Sequence, residues 1–217
     1  MSAKPKRLPR EVREQQMLDA AVQVFSRRGY HAASMDEIAE RAGISKPLVY
    51  LYLGSKADLF TACIRREAGR LREAITSVAE DGLAPQEQLW RGVNAFFGFV
   101  AQHREGWSVL YRQARGQGEP FSGEVAKMRR MIVETVAALI ARAMAAEGVR
   151  KPAVEGDEVL ALANALVGAG ESLTEWLLDH PEESPEVTSA RLMNLAWMGL
   201  SNVLRGKVWR PPAGPSR

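Results

Sequence analysis

Apolar residues recur at helical intervals in one segment after another, and short runs rich in glycine and proline separate the segments. In residues 10–28, Met17, Ala21, Val24 and Phe25 share a face, and Gly29 stops the helix. Met35, Ile38, Ala39 and Ala42 then fall at i, i+3, i+4 and i+7. Ser34 followed by Glu37 has capping-box spacing at the start of that short helix, and Gly43 provides the left-handed residue that ends it. Ser45 caps a further helix whose first turn holds Pro47, where a missing N–H costs nothing. A longer helix begins at Ser55 and is expected to reach about Ala79, with Leu59, Phe60, Cys63, Ile64, Leu71, Ile75 and Val78 inward.

After a break at residues 81–85, helical patterns occupy 86–103, 107–115, 123–147, 157–178 and 186–205, and no alternating strand pattern of useful length occurs. The fold class is therefore all-α, with three N-terminal helices, a linking helix and a bundle of about five. The expected division is a flexible basic arm at 1–9, a helix-turn-helix domain at 10–56, the linking helix and bundle at 57–205, and a Pro-containing disordered tail at 206–217.

Composition narrows the class. With 46% hydrophobic and 25% charged residues in 217, the chain reads as an ordinary soluble protein with length enough for a real core. No apolar run approaches a membrane span, and the basic N-terminus lacks the apolar stretch of a secretory signal. The single cysteine, Cys63, sits among helical residues and reads as a packing thiol. A cytoplasmic protein without membrane partners is expected. Its net charge of +3 is unevenly placed: residues 1–56 carry ten Lys or Arg against six Asp or Glu, and the remainder nineteen against twenty. The excess lies with the helix-turn-helix, which implies a polyanionic partner there.

The helix, tight turn and helix of residues 34–53 carry a family resemblance. Gly29-Tyr30, Ile38-Ala39, Ala42-Gly43-Ile44-Ser45, Tyr50-x-Tyr52 and Ser55-Lys56 before Leu59 together resemble the DNA-binding domain of the tetracycline-repressor (TetR) family of bacterial transcriptional regulators. The match covers roughly residues 10–66. The chain departs from the family pattern at Pro47-Leu48, where Gly-Thr is frequent, at Leu51, where a basic or polar residue is frequent, and at Leu53, where Phe is frequent. Leu48 lies near the base-reading surface, so these departures bear on the operator sequence more than on the fold. The resemblance implies phosphate contacts from Ser34, Tyr52 and Lys56. The turn and recognition helix further offer Ser45, with Lys46 and Tyr50 available to phosphates or bases and Pro47 and Leu48 to a thymine methyl. Lys4, Lys6, Arg7 and Arg10 either reach phosphates or the minor groove, or form a solubilising tail.

The remainder spends many aromatic and methionine residues on three helices, with a few polar residues between them. That composition suits a ligand pocket and a plain helical core alike. The resemblance implies a small-molecule effector inside the bundle, with Trp90, Asn94, Phe97, Trp107, Tyr111, Met128, Met131 and Glu171 as candidate lining and a hydrophobic or aromatic molecule as candidate ligand. It also implies that the last two helices form a homodimer interface, with Leu162, Leu166, Gly170, Leu173, Leu192, Leu195, Ala196, Gly199 and Val203 as candidate contacts. Such a dimer matches a palindromic or near-palindromic double-stranded operator.

Catalysis finds no support in the motifs. His31, His103 and His180 have no ligand spacing, and no phosphate-binding loop, dinucleotide fingerprint or nucleophile elbow occurs. No cofactor, no metal and no enzymatic activity are expected. The reading is a homodimeric repressor released from its operator by a small molecule. The alternatives are a TetR-like regulator without such a ligand, or a helical small-molecule-binding module with a vestigial helix-turn-helix.

Overall fold

A computed structural model of the chain describes residues 9–80, 82–146, 156–204 and 207. The basic residues Lys4, Lys6 and Arg7, the helix ends expected at Glu147 and Arg205, and nearly all of the expected tail lie outside the described residues. The described residues are helical, without a strand: α1 (Arg10–Ala32), α2 (Met35–Arg41), α3 (Lys46–Leu53), α4 (Lys56–Thr76), α5 (Pro85–Gln102), α6 (Arg104–Ser108), α7 (Phe121–Ala146), α8 (Gly156–Asp179) and α9 (Pro185–Leu204). Between α6 and α7 the chain widens into a π turn at Val109–Gln113 and tightens into a 3-10 turn at Arg115–Gln117.

Two compact units form. The first joins Met1–Leu71 to His103–Met128, and the second joins Arg72–Gln102 to Arg129–Arg217. The divisions fall within α4, between α5 and α6, and within α7.

In the first unit, the predicted apolar stripes meet. Met17, Val24 and Phe25 of α1, Ile38 of α2, Val49 of α3, and Leu59, Phe60 and Ile64 of α4 are buried. Trp107, Val109, Leu110 and Phe121 are buried in the same unit. The aromatic rings hold it together: Phe60 meets Phe25 edge-on at 4.8 Å and Phe121 at 4.9 Å. Tyr30 lies 4.9 Å from Phe121. The helix α1 is broken at Gly29, whose φ of 76° and ψ of 167° leave the helical region. A side chain there would be strained, and its Cβ would stand 3.0 Å from Oε1 of Gln113 in the π turn.

Three local expectations are corrected. Ser34 Oγ accepts from the Asp36 N–H at 3.1 Å, but Glu37 turns to Arg28 and does not close a capping box. The reciprocal box forms at α4, where Ser55 N donates to Asp58 Oδ2 at 2.9 Å and Asp58 N donates to Ser55 Oγ at 3.2 Å. Helix α4 ends at Thr76 and not near Ala79, and α6 begins at Arg104, ahead of the expected Trp107.

In the second unit, α5 and α8 pack against α9, and two apolar clusters form. Val93, Phe97, Leu177 and Leu192 make one, and Val133, Ile140, Met144, Val159 and Ala163 make the other. Arg129 on α7 ties to Glu171 and Asn164 on α8, each at 2.9 Å.

Candidate nucleic-acid interface

Helix α3 has one face in the core and one in solvent, and its short length leaves few residues to each. Val49 and Leu53 are buried, which holds the helix against α1 and α2. Ser45, Lys46, Pro47, Tyr50 and Leu51 are exposed, Tyr50 by 45% and Leu51 by 75%. Leu48 and Tyr52 are half-buried at the edge of that face. The Ser45 hydroxyl makes no cap bond to the helix, and Pro47 removes one further donor from its first turn.

Charged groups surround this face. Lys46 Nζ lies 2.9 Å from Asp36 Oδ2 on α2. The hydrogen bond to Asp36 and then its charge push the Lys46 pKa above its ordinary value, so the ammonium stays protonated at any physiological pH. The Arg10 guanidinium lies over the Tyr52 ring, 5.2 Å from its centre. Lys56 Nζ donates to the His31 carbonyl at 2.9 Å and lies 5.0 Å from the centre of the Tyr30 ring. That lysine therefore closes the end of α1 in addition to any contact it makes outside. Ser34 is exposed at the cap of α2. Seven of the eight residues expected at DNA thus lie on α3 or at the caps of α2 and α3, with Lys56 at the first position of α4. Asp36 escaped the sequence reading, although its position opposite the apolar stripe of Met35, Ile38 and Ala39 places it in solvent. Leu51 escaped it too, being noted there only as a departure from pattern.

Comparisons with known proteins give the family. The family model described as "Tetracyclin repressor-like, C-terminal domain" matches residues 85–199, more than half of the chain. The model described as "Bacterial regulatory proteins, tetR family" matches residues 17–63. The chain belongs to the TetR family of bacterial transcriptional regulators. Among its relatives is the HTH-type transcriptional activator FasR of Mycolicibacterium smegmatis, 30% identical over 198 residues, with 91% of this chain and 87% of that one covered. A solved TetR-like transcriptional regulator from Rhodococcus sp. RHA1 is 46% identical, with 90% and 99% of the two chains covered and a TM-score of 0.74. The FadR regulator of Bacillus subtilis, solved in complex with stearoyl-CoA, shares the fold at 18% identity, with 88% and 98% covered and a TM-score of 0.70. The TetR-family chain is thus a DNA-binding, helix-turn-helix transcriptional regulator, like its relatives.

The residues expected around an effector divide between the two units of this regulator. Trp107, Tyr111 and Met128 belong to the first, where Trp107 and Tyr111 stack at 3.8 Å. Trp90, Asn94, Phe97, Met131 and Glu171 belong to the second. There Phe97 is buried in the α5, α8 and α9 cluster, Met131 is exposed, and Glu171 holds Arg129. A groove of about 660 Å3 runs along α8 and α9, and its lining includes none of these eight. Of the nine residues expected at a dimer interface, seven line that groove: Leu162, Leu166, Leu192, Leu195, Ala196, Gly199 and Val203. Gly170 is buried beside Phe96, and Leu173 packs on the α5, α8 and α9 cluster. Among the described residues no group of three His, Cys, Asp or Glu could hold a metal ion, and no helix is long and apolar enough to cross a membrane.

Proposed function

We propose that this TetR-family regulator acts in the cytoplasm as a homodimer, without catalysis, on a palindromic or near-palindromic operator, with α3 of each subunit in a major groove. The solvent face of α3 carries the reading. Ser45, Lys46, Pro47, Leu48 and Tyr50 stand on or beside that face and would meet bases and adjacent phosphates, while Ser34, Tyr52 and Lys56 would meet the backbone on either side. A groove lined by Leu195 and its neighbours, with Leu195 exposed by 73% and Met198 by 68%, supports pairing through α8 and α9.

The same reading makes the regulator a repressor released by a small hydrophobic effector. Such release needs the effector to bind the DNA-incompetent state better than the competent one, and a difference of a few kcal/mol shifts occupancy by orders of magnitude. The stearoyl-CoA bound by the Bacillus subtilis regulator supports a fatty acyl chain as the class to try first. Activation is the second reading, favoured by the name of the Mycolicibacterium smegmatis relative.

Selection of bound genomic fragments at physiological salt tests the core of the reading. Enrichment of one two-fold symmetric site is the expected result, and Lys46→Ala and Tyr50→Ala should each weaken binding to it without changing the oligomeric state. Unchanged affinity in both variants would remove α3 from the interface. Adding acyl-CoA thioesters of graded chain length to the complex then reads release directly. A rise in melting temperature without release would make the ligand something other than an inducer.

A further inference from the structure

The feature of the α3 surface that DNA binding does not require is an acid. Asp36 stands on the solvent side of α2 with 70% of its side chain exposed, and Lys46 at the start of α3 is 44% exposed. Their charged atoms are 2.9 Å apart. An exposed ion pair of this kind adds little to folding, so stability does not account for it. An acid in the first turn of α2 does favour that helix's positive end, but Glu37 is also present there. Next to a phosphate backbone, a carboxylate is repelled. Next to a base edge, it is an acceptor for an exocyclic amino group.

We infer that Asp36 is a specificity-determining residue, and that the Asp36–Lys46 pair reads a single G·C base pair in the major groove. A G·C pair displays two acceptors on guanine, O6 and N7, beside one amino donor on cytosine N4. The guanine O6 and cytosine N4 are hydrogen-bonded to each other, so they lie about 2.9 Å apart. The protein pair offers the complementary set side by side, an ammonium donor whose nitrogen lies 2.9 Å from one oxygen of a carboxylate acceptor. Lys46 has three N–H donors, of which one goes to Asp36 and two remain for guanine. Asp36 accepts from Lys46 on Oδ2, which leaves its second oxygen for the cytosine amino group. Held by Asp36, the Lys46 ammonium is fixed in direction instead of roaming among phosphates. Reversing the pair to C·G or placing A·T there puts a base donor against Lys46. A T·A pair, which keeps an acceptor beside a donor, lacks the N7 acceptor for the second Lys46 N–H and carries the thymine methyl on that side. The inference rests on α3 and the start of α2 facing the major groove.

The test is selection from a randomised operator library with the full-length protein at physiological salt. Wild type, Asp36→Ala, Asp36→Asn, Lys46→Ala and Tyr50→Ala would be compared, and circular dichroism would check that each variant folds. Wild type should enrich one G·C pair in each half-site. Asp36→Ala should lower that preference on the order of tenfold, the usual worth of one base contact, while other positions keep theirs. Asp36→Asn should move the preference at the cytosine position towards adenine, because an amide both donates to N7 and accepts from N6. An unchanged G·C preference in Asp36→Ala would overturn the inference. So would a gain in affinity uniform over all sequences with a salt dependence steeper by about one ion, since Asp36 would then only keep Lys46 off the phosphates. Failure of the underlying reading looks different: Lys46→Ala and Tyr50→Ala would leave affinity and preference at every position as in wild type.

Discussion

Glu67 occupies a position that the periodicity of its helix assigns to an apolar residue, four after Cys63 and four before Leu71. Its side chain is buried, and the residue is 1% exposed. Two cations meet it: Arg66, with Nη2 at 2.7 Å, and Arg70, with Nη1 at 3.3 Å. Asp19 of α1 holds the same Arg66 at 2.8 Å. Gly106 of α6 packs so closely that a Cβ there would stand 2.5 Å from Glu67 Oε2. Removing the carboxylate leaves Asp19 as the remaining acid on Arg66, so Glu67→Ala should cost about 1.5–3 kcal/mol in chemical denaturation, the usual worth of a hydrogen bond to a charged group. Gly106→Ala should cost about 1–3 kcal/mol by overpacking. A Gly106→Ala variant as stable as wild type would show that α6 leaves this carboxylate room, and an equally stable Glu67→Ala would show that the buried ion pair adds nothing net. Burial also governs Cys63, whose thiol is pushed up to about 12 by loss of hydration. Native protein at neutral pH should resist thiol reagents and react on unfolding. The sign of the linkage follows: the native state keeps its proton longer, so this contribution is whole below pH 9 and is lost as pH rises towards 12. A melting temperature unchanged from pH 8 to pH 10.5 in wild type, and matched by a Cys63→Ala variant, would count against it.

Helix ends are where the DNA-binding unit is specified at the scale of the element. Gly29 breaks α1, and both its φ of 76° and the 3.0 Å approach of Gln113 exclude a side chain. Gly29→Ala should cost about 1–3 kcal/mol from the backbone alone, because φ of 76° with ψ of 167° is a region essentially reserved for glycine. Adding Gln113→Ala should recover only the steric part of the loss, as thermal melts of the two variants would show. At α4 the Ser55 hydroxyl and then its N–H hydrogen-bond Asp58, which holds that carboxyl below its ordinary pKa. The stabilisation is present above pH 3.8 and is lost as pH falls through the lower folded-state value. Asp58→Ala should therefore lower the melting temperature at pH 7, and the difference from wild type should shrink in acid. A constant difference down to pH 2.5 would mean that the carboxylate charge is not what caps α4.

For the whole molecule, the exposed apolar face of α8 and α9 carries the strongest consequence. Leu195 is exposed and lines a groove of about 660 Å3, and in the proposed dimer a charge placed there on each subunit would be brought into the interface with its symmetry mate. Leu195→Glu should shift sedimentation from dimer to monomer with helix content kept. Operator affinity should fall by more than about tenfold, because two half-sites would no longer be bound as one unit. Dimers that persist in this variant would move the interface elsewhere.

Much of this was written in the sequence itself. The helices follow from a 3.6-residue repeat of apolar positions, which local geometry converts directly into a buried face, as Met17, Val24 and Phe25 or Leu59, Phe60 and Cys63 illustrate. Lys46, Pro47 and Tyr50 of α3 stand in solvent, where the helix-turn-helix pattern and the family resemblance put them, while Val49 and Leu53 are buried. What only the tertiary structure decided is pairing between residues far apart in the chain. Nothing in the spacing of Asp36 and Lys46, of Gly29 and Gln113, or of Glu67 and Gly106 announces that they meet. Nor does it announce that residues 103–128 pack with the N-terminal helices, whereas residues 72–102 belong to the other unit. Periodicity fixes which side of a helix is apolar, and the packing of whole helices fixes which other side it meets.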